Sequence, residues 1–368
     1  MKLLHLSLTN FKNIREASLD FSDGVNCFLG DNGMGKSNLL DAVYMLSFCK
    51  SFTGAPDPMV ITSGADIAMA RGDYMRGGTP ETITLGLARG RRKSLKRMGK
   101  EYQRLSQHIG LLPLVMVSPR DSDLINNSGE ERRRWMDMVI SQSNPRYLDA
   151  LIRYNQALEQ RNRMLRDGAT DVNLYAAIEL PLAAAAAYIH GERVAWVERL
   201  RPVFSHYYQA VAGEAEEVTI GYVSTLSAPG VTLESLLDGA RRHDEIVKHT
   251  SVGPHRDDID FQLGGMPLRR VGSQGQCKTF TIALRLAQHD FLHTSAGVMP
   301  LLLLDDIFDK LDATRVDRIM NLVSGGRFGQ IFITDTNRKH LDEIVALNTG
   351  ADHRLWSVAD GCFSVIEE

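Results

Sequence analysis

Three short stretches hold residue types that could do phosphate chemistry together. The first is GDNGMGKS, residues 30–37, which fits GxxxxGK[ST] and lies between a strand-like and a helix-like segment. Gly30, Asp31, Asn32, Gly33, Met34 and Gly35 can turn backbone N–H groups toward phosphates. Lys36 can reach the β and γ phosphates of ATP, and Ser37 can ligate Mg²⁺. The second is LLLLDD, residues 301–306. Its unbroken apolar run suits a central parallel strand covered on both faces. Asp305 is expected to hold Mg²⁺ through water, and Asp306 to orient or deprotonate the attacking water, which makes Asp306 the catalytic candidate. Alone, paired Asp after a strand is more often a cap or turn; beside the first stretch it completes an ATP site. The third is GSQGQCK, residues 272–278. It reads as a loop in which Ser273, Gln274, Gly275 and Gln276 offer donors to an anion before a helix over 279–293.

The elements that must position these residues follow from patterning. Residues 2–9 and 17–29 alternate like strands, and 37–48 have helical spacing. Residues 56–110 are strand- and turn-like and include a basic hairpin candidate with Arg89, Arg91, Arg92, Lys93, Lys96, Arg97 and Lys100. Residues 111–119 suit a buried strand. From 129 to 215 the pattern is helical, without the sustained heptads of a long coiled coil. Residues 217–271 read as strands and loops. The end runs strand (299–304), helix (313–324), strand (330–334), helix and a closing hairpin, which argues for a largely parallel sheet.

The bulk numbers fit an ordinary globular protein: 368 residues, 43% hydrophobic, 24% charged, net charge −3. No apolar run reaches a membrane span, so no membrane is expected and the cytoplasm is the default location. The four cysteines, Cys27, Cys49, Cys277 and Cys362, lack metal spacing and read as reduced thiols. With no overall basic field, nucleic acid would have to meet a local patch. Arg91, Arg92 and Lys93 are the candidates, although such a run is commonly just a solvated hairpin.

The order of a glycine phosphate loop, a helical insertion, a Ser-x-Gly-Gln stretch, an Asp-Asp strand and "KLD" is that of ABC-type ATPases. The fold class is therefore α/β: an ABC-type P-loop ATPase head (lobe I) with a largely helical second lobe. The expected boundaries are 1–110 and 296–368 for lobe I and 111–295 for lobe II. In that class the third stretch caps the γ-phosphate held by the first stretch of a partner chain.

Nearly end to end, the chain resembles the RecF family of bacterial recombination-repair ATPases. The resemblance rests on NFKNI (10–14), GDNGMGKS, SPRDSDLINNSGEERRRWMD (118–137), YNQALEQRN, SVGPHRDD (251–258), GSQGQCKT and LLLLDDIFDKLD. It implies ATP and Mg²⁺ as cofactors, ATP-dependent head-to-tail dimerisation on gapped or duplex DNA, and slow hydrolysis that releases the dimer. It implies help with recombinase loading, and RecR and RecO as partners. It makes Asp312, a helix N-cap by position, also the aspartate that crosses the dimer, and it makes GPHRDD a functional loop. Two alternatives are a transporter-type ATPase subunit and an SMC- or Rad50-like ATPase.

Overall fold

The opening KLLHLSLTNF alternates apolar and polar residues, and Leu3, Leu6 and Leu8 are buried, as one covered sheet face requires. In the computed structural model, which describes residues 1–213, 216–309, 311–324, 326–347 and 352–366, this segment is the strand Lys2–Phe11. It belongs to an antiparallel sheet of order Ile14–Asp20, Lys2–Phe11, Ile67–Arg76, Thr79–Ala88, Ser94–Arg97, Lys100–Glu101.

The expected strand over 17–29 is instead two strands in two sheets. Asn26 breaks it by fastening the turn before it: its side chain bonds the Ser22 N–H and carbonyl, both at 2.9 Å. Beyond that turn Val25–Leu29 enters a second sheet, of order Cys362–Val365, His353–Ala359, Val25–Leu29, Ile331–Asp335, Leu301–Asp305, Leu114–Val117. Its pairings are parallel except at the Cys362–Val365 edge. Leu301–Asp305 and Ile331–Asp335 are buried throughout, which explains their lack of alternation. Helix Lys36–Phe48 touches strands of both sheets and is buried almost all round.

The chain divides into two compact units. The first comprises residues 1–121, 210–212 and 274–368; the second comprises 122–209 and 213–273. Strand Leu114–Val117 and helix Gln274–Ala296, expected in the second lobe, thus belong to the first unit: one is an edge of its parallel sheet, and the other packs on that strand.

The second unit holds helices Gly129–Ser143 and Pro145–Asp167, nearly all of Val172–Ala212, and a three-stranded antiparallel sheet. Asn144 caps the second helix by accepting from Tyr147 N, with Pro145 at its first position, and Asp171 caps the third. It also contains a helix, Leu233–Val247, where only strands and loops were expected. Thr232 and Ser235 form its capping box, and Leu233 and Leu237 are buried. Helix Val172–Ala212 includes a stretch apolar and long enough, by composition alone, to cross a bilayer. It also carries Glu179 and Arg193 into buried ion pairs with other parts of the second unit, as a core helix does. Among the described residues no long coiled coil occurs.

Candidate nucleotide site

Strand Val25–Leu29 delivers the glycine loop at its C-terminal end, where parallel sheets bind ligands. The loop keeps its shape because neighbours press on it where side chains cannot fit. A Cβ on Gly30 would lie 2.3 Å from the Val358 carbonyl oxygen. Gly33 and Gly35 have φ of +84° and +114°, which glycine adopts without strain. Gly361 N donates to Met34 O at 2.8 Å, so the closing hairpin buttresses the loop. Asn13, at the turn of the first hairpin, donates to Gly33 O at 3.3 Å and accepts from Asn38 Nδ2 at 2.8 Å. Asp31, Asn32 and Gly33 remain exposed.

Lys36 is buried at the start of its helix, and its amine donates to the carbonyls of Gly30 and Asp31 at 2.5 and 2.9 Å. Burial lowers its pKa, against the pull of Asp306, Asp305, Asp335 and Asp31. Ser37 donates to Asp305 Oδ1 at 2.8 Å, and Thr334 donates to the same oxygen at 2.7 Å. Burial pushes the Asp305 carboxyl up, while these two hydroxyls pull it down. Asp306 sits in the left-handed region, φ +48°, and its N–H reaches both the carbonyl and the hydroxyl of Thr334 at 3.2 Å. Its carboxyl is raised by burial, then by Asp335 and Asp309. Thr334 can do this because Ile331–Asp335 lies between the other two strands, with Thr334 opposite both Phe28 and Asp305. A hydroxyl and a carboxylate 2.8 Å apart, beside a buried ammonium, are the hard-oxygen set and cation that a magnesium–triphosphate requires.

Comparison with known proteins shows the family. The family model for the RecF/RecN/SMC N-terminal domain matches residues 2–352. The DNA replication and repair protein RecF of Parabacteroides distasonis is 50% identical over 368 residues, covering 100% of both chains. The chain belongs to the RecF family. The RecF of Bacteroides fragilis is 47% identical over 370 residues, covering 100% of this chain and 99% of its own. Among solved structures, the recombination mediator protein RecF-ATP of the RecFOR pathway superposes with a TM-score of 0.89 at 27% identity, covering 99% of this chain and 97% of its own. The Smc head domain of Pyrococcus furiosus shares the fold alone, with a TM-score of 0.60 at 18% identity.

Other RecF-family marks lie as follows. The chain passes from the second unit to the first between Ser273 and Gln274. Gln274, Gly275 and Gln276 do not form a loop: they are the first turn of helix Gln274–Ala296. Asp312 caps helix Ala313–Ser324 by accepting from Arg315 N at 2.9 Å. The basic hairpin forms, but Lys93 points inward to Asp57 (2.8 Å) and Cys49 O (2.7 Å), and Arg97 pairs with Glu81. Arg91, Arg92, Lys96 and Lys100 are exposed.

GPHRDD is an internal clamp of the second unit. Arg193, 2% exposed, bonds Asp137, the Pro254 carbonyl and Asp257. Arg132 holds Asp258 through two bonds at 2.7 and 2.9 Å. His255 Nδ1 faces the Tyr154 hydroxyl at 2.7 Å, and its Nε2 lies 3.0 Å from Thr250 O. Sequence reasoning missed Asn13, Thr334 and Gly361 as parts of the site. The first lay within NFKNI, a stretch noted only as a family mark; the others carried no local signal.

Proposed function

We propose that the protein is an ATP-controlled, DNA-binding switch of recombinational repair, whose ATP sites are completed by two copies of the chain. The observation that carries it is the contiguous set Lys36, Ser37, Asp305, Thr334 and Asp306 at the ends of three adjacent parallel strands. Loop residues 30–35 and Lys36 would hold the triphosphate. Ser37 and Asp305 would hold Mg²⁺, which supplies charge neutralisation on the phosphate oxygens. Asp306, its carboxyl raised by burial and by Asp335 and Asp309, is suited to accept a proton from the attacking water. Ser273, with the first helical turn at Gln274–Gln276, would cap the γ-phosphate bound by the other copy, and Asp312 would meet that copy's site. ATP then joins the pair, and slow hydrolysis parts it.

Relatives named for DNA replication and repair, and ATP-bound RecF of the RecFOR pathway, support DNA, RecO and RecR as partners; the cytoplasm is the place of action such a role implies. Arg91 and Arg92, exposed at the hairpin, would meet DNA phosphates with little base readout and steep salt dependence. A duplex or a single-strand/double-strand junction suits them better than a stacking channel.

The test mixes Ser273→Arg chains with Lys36→Ala chains. Each alone should fail to form an ATP-dependent dimer. Mixed, they should recover some dimer and turnover, because one of two sites carries both defects and the other neither. Parent-level, concentration-independent turnover in isolated Ser273→Arg chains would sink the composite site.

A further inference from the structure

We propose that Arg315 is a positioning residue that seats the turn Gln274–Lys278 on the loop carrying Asp306. The proposal rests on the composite-site reading above for its consequence, but not for its geometry. The deciding contact is at Gly275. A Cβ built there would lie 2.9 Å from Arg315 Nη1, so the guanidinium rests over a bare α-carbon. Arg315 is not free to swing at its base. It sits in the first turn of helix Ala313–Ser324, its N–H donates to Asp312 Oδ1 at 2.9 Å, and its Nε is 3.4 Å from Asp312 Oδ2. Its side chain is only 16% exposed. Farther along the same turn, the Lys278 ammonium donates to the carbonyl of Asp309. The turn is thus held at two points by the segment that begins at Asp306, and Asp306 is itself pinned to Thr334.

This gives Gly275 a cause inside the chain. A glycine in such a motif is usually explained by close approach of a phosphate. Here a side chain at 275 would first meet its own Arg315, and the far end of a flexible arginine yields more cheaply than backbone does. Alanine at 275 should displace the guanidinium and leave the fold intact. The two parts of the chain that serve different ATP sites would then lose their rigid connection. In the intact protein, movement of the Asp306 loop on hydrolysis carries the turn with it, and so loosens the cap on the partner's phosphate. This is a two-point mechanical coupling between contiguous packed elements.

The experiment compares Arg315→Ala, Gly275→Ala, the double variant and Arg315→Lys. Hydrogen exchange of the segment 272–280 reads the seat without reference to a dimer. Both single variants should exchange there about ten-fold faster than the parent with unchanged melting temperature, and Arg315→Ala, which lies outside the phosphate-binding set, should also keep the parent's ATP affinity. The ATP-dependent dimer should fall by a similar factor in both singles, fall no further in the double, and partly return with Arg315→Lys. Unchanged exchange in Arg315→Ala overturns the proposal. So do losses that multiply in the double variant, since Gly275 would then act on phosphate alone. If the parent forms no dimer with ATP, the composite-site reading falls, and hydrogen exchange still decides whether Arg315 seats the turn.

Discussion

Ser37 and Asp305 are 268 residues apart in the chain and 2.8 Å apart in space, joined by a hydroxyl donating to a carboxylate. Thr334 adds a second hydroxyl to the same oxygen. Burial favours the neutral acid at Asp305, so these donors oppose that tendency and favour the ionised form a metal needs.

Thr334→Val removes one donor from Asp305 and one acceptor from Asp306 N–H, while the shape of the strand is kept. Turnover should drop roughly ten-fold, the worth of about one buried hydrogen bond, with ATP affinity within a few-fold. Thr334→Ser should restore most of it. Steady-state ATPase beside nucleotide titration checks this; full activity in the valine variant would remove Thr334 from the site.

Gly361→Ala should weaken ATP binding although position 361 is nowhere near the glycine loop in sequence. A Cβ there would lie 2.4 Å from the Asn13 carbonyl, at a φ of +76°, and Gly361 N holds Met34 O. The turn must shift and release the loop, at a cost of about 1–3 kcal/mol. Calorimetric titration with ATP reads the effect, and parent affinity in a folded variant counts against the buttress.

Arg193→Met should destabilise the second unit by about 3–5 kcal/mol, because Asp137 and Asp257 lose their shared cation in a buried setting. Asp257→Asn keeps hydrogen-bonding capacity toward Arg193 and Tyr222 and should cost less. Denaturant unfolding of both variants gives the ranking; the reverse order would refute the clamp.

Stability should fall as pH drops from about 6.5 toward 4. Burial pushes His255 down from 6.5 to about 4, with Arg256 and Arg133 adding to the shift, against a bond to the Thr250 carbonyl. The unfolded chain therefore takes up a proton that the folded one refuses, so this contribution is fully present above pH 6.5 and is lost on acidification through 4. His255→Gln can still donate to Thr250 O, and its unfolding curve should be less steep in pH over that window. His289, also pushed to about 4, supplies a remaining part of the slope. Identical pH dependence in parent and variant would exclude His255.

The nucleotide loop and the Asp-Asp strand were legible because each is a contiguous pattern bound to a fixed local geometry. Asn13, Thr334 and Gly361 were not, since each acts through sheet register or a hairpin contact that no spacing encodes. Helix Leu233–Val247 was missed although Thr232, Ser235, Leu233 and Leu237 spelled its start; Gly239 and the run of charges after it hid the period. The turn at Gln274 read as a loop because Gly275 is a poor helix former, and tertiary seating overrides that preference. GPHRDD was expected only as a functional loop, and its ties to Arg132, Tyr154 and Arg193 carried no signal because those partners lie up to 126 residues away.

The closing hairpin's grip on the glycine loop also bears on how the protein is born. Asp360 and Met34, which touch in the finished site, are separated by 326 residues. At ribosomal speeds that is roughly 15–65 s of synthesis during which the loop exists but its buttress does not. Its flanking parallel neighbours, Ile331–Asp335 and His353–Ala359, are equally late. A chain cut before Ile331 lacks both flanking strands and the hairpin that holds the loop, so ATP should stabilise it less than it stabilises the full chain.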